Sequence, residues 1–289
     1  MTHETRNYLL SLQKNEITEH HIYQRLARSI RCRDNAAVLQ KIADEELRHA
    51  QIWQQHTQTA VEPDRIKIWF FTLISLVFGF TFGMKLMERG EVGAQSNYRQ
   101  LSEEFPEAAQ IAQEEKEHET QLLALLDEER LRYIGSIVLG LNDALVELTG
   151  VLAGLTLALQ NTQLIAMSGL ITGIAASLSM ASSEYLSMKS ESSTDSHPLK
   201  GAIYTGCAYI TTVILLVLPF LLFSHYIFCL MLSLTTAVLI IAGFNYYVSV
   251  AQDVPFRGRF YEMAAISLGV AGLSFVIGYL VRIFLGVDI

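Results

Sequence analysis

The chain has 289 residues, 51% of them hydrophobic, and a formal net charge of −8. That acidic balance offers no basic footprint for nucleic acid, so no nucleic-acid partner is expected. Three cysteines, Cys32, Cys207 and Cys229, form neither a CxxC pair nor a plausible framework, which excludes a disulfide scaffold.

The charges are unevenly placed. Of the 29 Asp and Glu residues, 21 fall within the first 132 positions, and the remainder of the chain is a succession of long apolar segments. Composition therefore predicts an all-α protein in two parts: a soluble domain over residues 1–130 and a membrane domain over 131–289. The first thirty residues are charged and polar throughout, so no signal peptide is expected and the first domain is expected to stay in the cytosol.

Within that first domain one pattern is written twice. Glu16 stands seven residues before Tyr23 and is followed by Glu46-x-x-His49; Glu91 stands seven before Tyr98 and is followed by Glu115-x-x-His118. Residues three apart share a helix face, so one carboxylate and one imidazole of each pair can reach a common centre. A Glu from each of two helices plus Glu-x-x-His from each of two others is the inward ligand set of di-iron four-helix bundles. The expected metal ligands are Glu16, Glu46, His49, Glu91, Glu115 and His118, with Glu88, one turn before Glu91, replacing or supplementing it. Bridging carboxylates with neutral nitrogen suit iron or manganese better than calcium. Glu19, Glu45, Glu114 and Glu119 are expected to face solvent or to support the ligands, and Tyr23 and Tyr98 to be core aromatics.

Between the two copies, Ile68–Met84 runs seventeen residues without a charge. Were it a span, the two halves of the ligand set would lie on opposite sides of a membrane. It is read instead as the apolar leading part of the third bundle helix, buried in the bundle, against a partner subunit or on the membrane surface. Asp127–Arg132 then joins the last bundle helix to the first span without Pro or Gly, which predicts a nearly continuous helix.

Five segments follow that can cross a bilayer core of about 30 Å: Ile134–Leu159, Leu164–Met188, Gly201–Phe223, Tyr226–Val250 and Tyr261–Leu285. Arg130, Arg132, Lys189, Lys200, Arg257 and Arg259 flank one side, whereas 160–163 and 224–225 carry no Lys or Arg; Arg282 is the one exception. The positive-inside rule puts the amino-terminal domain in the cytosol.

A charge at bilayer depth is costly and marks a pathway or a proton relay. Asp143 and Glu147 lie one turn apart in the first span, and Met180, Glu184 and Met188 recur every four residues in the second. Carboxylates with thioethers suit a transition metal such as Fe²⁺, although Met at this spacing is more commonly interface filling. Gly150, Gly154, Gly169 and Gly173 are expected to allow close helix packing.

Gly140-Leu-Asn-Asp-Ala-Leu-Val-Glu147 and Ser179-Met-Ala-Ser-Ser-Glu-Tyr-Leu-Ser187 resemble the vacuolar iron transporter family over residues 135–285, and residues 1–130 resemble rubrerythrin-like ferritins. The combination is similar to membrane-bound ferritins. The resemblance implies a homodimeric exporter of Fe²⁺ or Mn²⁺ in the cytoplasmic (inner) membrane, exchanging metal for protons, with iron in the di-iron site, Mn as its substitute, and ferroxidase or peroxidase activity in the bundle as an open question. Relatives with a Glu- and Met-rich helical domain between the second and third spans differ here, since only Ser190–Lys200 fills that gap. The alternatives are a membrane-anchored di-iron oxidase or peroxidase without transport and a metal-responsive interaction protein. Metal flux separates them.

Overall fold

The computed structural model of the chain describes residues 2–30, 32–87, 89, 101, 104–124, 133–190 and 197–285; all regular structure among them is helical. Two compact units, Met1–Glu128 and Glu129–Ile289, divide the chain.

In the first unit, α1 (His3–Ser29) starts where the Thr2 side chain accepts from Thr5 N, and α2 (Arg33–Thr57) ends where Gln58 adopts a left-handed φ of 53°. These two pack along their lengths as an antiparallel hairpin. The Asp64 carboxylate caps α3 (Arg65–Phe78) by accepting from the backbone N–H groups of Ile66 and Lys67. α4 (Glu107–Ala124) packs on α2, and α3 on α1.

The apolar stretch Ile68–Met84 is not one continuous helix, in contrast to the expectation from its composition. α3 stops at Gly79, whose φ of 101° and ψ of 150° only glycine tolerates, and helix resumes at 80–87. A Cβ at Gly83 would meet Ser75 Oγ at 1.9 Å, so the resumed segment lies tightly on α3 and the break lets the chain change direction there. The stretch consequently divides its apolar groups: Ile68, Phe80 and Met84 enter the bundle core, while Trp69, Phe70 and Leu73 face outward.

Two apolar layers hold the unit together. One contains Leu9, Leu12, Trp53, Phe105 and Ile111; the other contains Ile22, Tyr23, Leu26, Ile42, Met84 and Leu122. Along α1 the inward face runs Leu9, Leu12, Glu16, Tyr23, along α2 Ile42, Glu46, His49, Trp53, and along α4 Ile111, Glu115, His118, Leu122. Helical spacing thus places a polar layer between the two apolar ones.

The second unit consists of α5 (Ile134–Leu159), α6 (Thr162–Ser190), α7 (Pro198–Leu222), α8 (Tyr226–Gln252) and α9 (Phe256–Leu285), five helices long and apolar enough to cross a membrane. The chain is an integral membrane protein. α5 is the hub and packs against all four others. Small residues let it do so: a Cβ at Gly140 would meet the Thr205 carbonyl oxygen at 2.3 Å, and one at Gly154 would meet that of Ser274 at 3.1 Å. Gly150, Gly169 and Gly173 serve the same close packing against Val270, Leu152 and Val213. α9 begins earlier than the hydropathy pattern indicates, just past Pro255, so Arg257 and Arg259 stand on its first turns instead of in a connecting loop.

Candidate metal centres

Four of the expected ligands, Glu16, Glu46, His49 and Glu115, present donor atoms that all lie within 4.8 Å of one another. They come from α1, α2 and α4, and all but the half-buried Glu115 are buried. His49 Nδ1 is 3.2 Å from Glu115 Oε1, 3.5 Å from Glu46 Oε2 and 3.6 Å from Glu16 Oε2. Yet neither His49 Nδ1 nor Glu46 Oε2 makes an aligned hydrogen bond. His118 joins the group, with Nδ1 at 3.1 Å from Glu46 Oε1 and 4.0 Å from Glu115 Oε2. Glu88 and Glu91 lie outside the described residues, as do Tyr98 and Asp127–Arg132.

The outer nitrogens are held crosswise. His49 Nε2 is 2.8 Å from Glu114 Oε2, which Arg48 also contacts at 2.5 Å, and His118 Nε2 is 2.6 Å from Glu45 Oε2. Each imidazole therefore meets both carboxylates of the other motif, one at each ring nitrogen. Such support fixes the ring and leaves Nδ1 directed at the carboxylate cluster. The indole N–H of Trp53 donates to Glu16 Oε1 at 3.3 Å. Its position, one turn beyond His49 on the same face, is the only sign of it in the sequence. Glu19, expected at the surface or in support, is buried.

Electrostatics follow from crowding. Burial and the nearby Glu115 charge push the Glu46 carboxyl up to about 8, and burial likewise raises Glu115. Burial also opposes ionisation of Glu16, but contacts with His49, Glu46 and Trp53 leave its carboxyl lowered. Burial would depress both imidazoles; instead the carboxylates around His49, and Glu46, Glu115 and Glu45 around His118, raise them. Although burial acts against it, Glu114 is held at about 2 by hydrogen bonds from His49, Gln110 and Arg48. Several buried acids that share too few protons, with two inward donor atoms unsatisfied, form a set suited to a divalent cation. The donor set fits iron or manganese.

In the membrane unit the polar groups follow one face of α5. Ser136 donates to Glu184 Oε1 of α6 at 2.5 Å, and its carbonyl oxygen accepts from Thr205 of α7 at 3.0 Å. Asp143 and Glu147 follow on that face, and the phenol of the fully buried Tyr209 donates to Glu147 Oε2 at 2.8 Å. Met188 lies beside Ser136: a Cβ at Gly201 would meet Met188 Sδ at 2.1 Å and Ser136 Oγ at 3.3 Å. Met180 packs half-buried against the apolar core of the membrane unit. Ser136, Thr205 and Tyr209 carry no signal in the sequence, because their role depends on how the spans pair.

Residues 134–196 match the model of the VIT family. The match covers the spans bearing Asp143, Glu147 and Glu184, and it supports a membrane domain that transports metal ions. No curated protein and no solved structure matches the chain.

Proposed function

We propose that the chain exports Fe²⁺ or Mn²⁺ from the cytosol in exchange for protons, and that its N-terminal unit is a ferritin-like metal centre that gathers or senses the same ion. The observation that carries this reading is the polar face of α5. Ser136, Asp143 and Glu147, joined by Glu184 of α6, form a succession of oxygen donors within spans that the VIT-family match covers, and Tyr209 of α7, beyond the match, adds its phenol to Glu147. A carboxylate kept in hydrocarbon without function is expensive.

The chemistry rests on competition. A carboxylate oxygen binds either a proton or a metal ion, so loading releases protons and protonation on the far side releases metal. Met188, beside Glu184 and Ser136, adds a polarizable sulfur that favours a transition metal over Ca²⁺ or Mg²⁺. The hydroxyls of Ser136 and Tyr209 donate to the carboxylates and so hold them in place between passages.

In the N-terminal unit, Glu16, Glu46, His49, Glu115 and His118 would hold the resident metal, Glu45 and Glu114 orient the two imidazoles, and Trp53 fixes one Glu16 oxygen. A bound iron pair supplies a reversible metal store with redox capacity. The basic flanks of the spans support a cytosolic N-terminal unit; the cytoplasmic membrane and a homodimeric assembly complete the proposal.

The test is flux into sealed proteoliposomes, with Fe²⁺ and Mn²⁺ assayed separately beside a pH reporter in the lumen. Metal-dependent proton movement in the opposite sense is expected, and Glu184→Gln should abolish both signals. Proton-independent flux would remove the exchange step; peroxide consumption without flux would favour the anchored enzyme.

A further inference from the structure

We propose that the outer face of α3 docks into the lipid headgroup region of the membrane that the same chain spans. Ile66, Trp69, Leu73 and Leu76 follow one another at spacings of three, four and three, and Phe70 and Val77 stand next to Trp69 and Leu76, so the six form one continuous face. All six are exposed, Ile66 by 79% and Trp69 by 61%. The opposite face is already used, since Ile68 is in the bundle core and Phe71 packs against it. An apolar face of this size on a water-soluble unit marks an interaction site.

Three observations choose lipid as the occupant. At 14 residues, α3 is about 21 Å long, too short for a hydrocarbon core of about 30 Å, so it can lie on a bilayer but not cross one. The stretch 65–87 contains Arg65, Lys67 and Lys85 and no Asp or Glu, within a region of the chain that holds most of its acidic residues. Cations flanking an apolar, Trp-bearing face match the anionic headgroups and acyl boundary of a bilayer. A second copy of the same face would offer apolar contact, but an acid close to that face, Glu62, already pairs with Arg65 of its own chain at 3.6 Å. Moreover, five spans begin at Ile134, so a bilayer is always present close along the chain. The inference is independent of what the membrane unit carries.

The chain has two tryptophans, Trp69 on this face and Trp53, fully buried in the bundle, and neither lies in a span. The full chain is reconstituted into phosphatidylcholine–phosphatidylglycerol vesicles, with and without bromine on the acyl chains near the headgroups. Bromine quenches only on contact, so brominated lipid should remove a large part of the wild-type emission. Trp69→Phe should show almost no quenching, and Leu73→Asp with Leu76→Asp should return the emission in brominated lipid to its unbrominated level. Equal wild-type emission in the two lipids overturns the proposal, whether Trp69 then emits as in water or is blue-shifted under a second copy of the chain. Quenching that survives Trp69→Phe overturns it as well.

Discussion

His49 Nε2 and Glu114 Oε2 lie 2.8 Å apart although they belong to different copies of the duplicated motif, and His118 Nε2 repeats the relationship with Glu45 at 2.6 Å. The exchange ties α2 to α4 at the level of the candidate centre. It also sorts the adjacent glutamates of each motif: Glu46 and Glu115 face inward, while Glu45 and Glu114 steady the opposite imidazole. Loss of a group that orients a ligand typically costs 10–100-fold in metal affinity. Glu114→Gln and Glu45→Gln should each weaken metal binding by roughly that factor and leave the stoichiometry unchanged, as measured by competition with a metal-binding dye.

The inward pair should behave differently. Glu46→Ala together with Glu115→Ala removes carboxylates that no neighbour can replace, so most of the metal held by the N-terminal unit, about two ions, should be lost. Helix content should remain, because the apolar layers on either side carry the packing. Elemental analysis beside circular dichroism checks this, and unchanged metal content would reject the ligand assignment.

How much of this was legible in the sequence depends on the range of the interaction. Glu16, Glu46, His49, Glu115 and His118 could be placed together because a helix projects residues three and seven apart onto one face. The same spacing separates neighbouring glutamates, because only Glu46 and Glu115 stand three residues before a His; that Glu45 and Glu114 reach the imidazole of the other copy depends on how α2 packs on α4, which helical spacing does not record. The partners Ser136–Glu184 and Tyr209–Glu147 depend on the register between spans, which no local pattern records. Gly79 lay in plain view inside an apolar run, yet apolarity alone read through it; the conformation that breaks the helix there is one only glycine adopts.

The pH response of the N-terminal unit follows from Glu46. Its carboxyl rises from an ordinary 4.5 to about 8 in the folded unit, so between those values the metal-free folded state holds a proton that the unfolded state releases. Its contribution to stability is therefore present in full below the lower value and falls as pH rises through the window. Metal-free Glu46→Gln should melt higher than wild type at pH 7–8, with the gap closing toward pH 5. Metal must displace that proton, as well as any on the raised His49, so binding should strengthen with rising pH and release protons near neutrality. Calorimetry in two buffers of different ionisation enthalpy measures that release.

Tyr209 permits a narrower test of the membrane face. Its phenol donates to Glu147 at 2.8 Å from a fully buried ring, so Tyr209→Phe keeps the packing and removes only the donor. Flux should fall several-fold with insertion and thermal stability little changed, whereas Glu147→Gln should abolish it. Wild-type flux in Tyr209→Phe would show that Glu147 needs no fixed partner.

The last prediction concerns the reason for joining the two units in one chain. If the N-terminal unit gathers metal for the spans, its removal lowers the local supply without touching the pathway. Deleting residues 1–125 should then preserve the maximal rate of transport and raise the metal concentration needed for half of it. A flexible Gly/Ser insertion after Glu129 should do part of the same, because a longer tether dilutes the local supply that a short connection maintains. Both variants are to be assayed in the same vesicles as the full chain, over a range of free Fe²⁺. Wild-type concentration dependence in both would separate the carboxylate cluster from delivery and leave it the part of a sensor or a peroxide scavenger, which deletion would expose as lost peroxide consumption with transport intact.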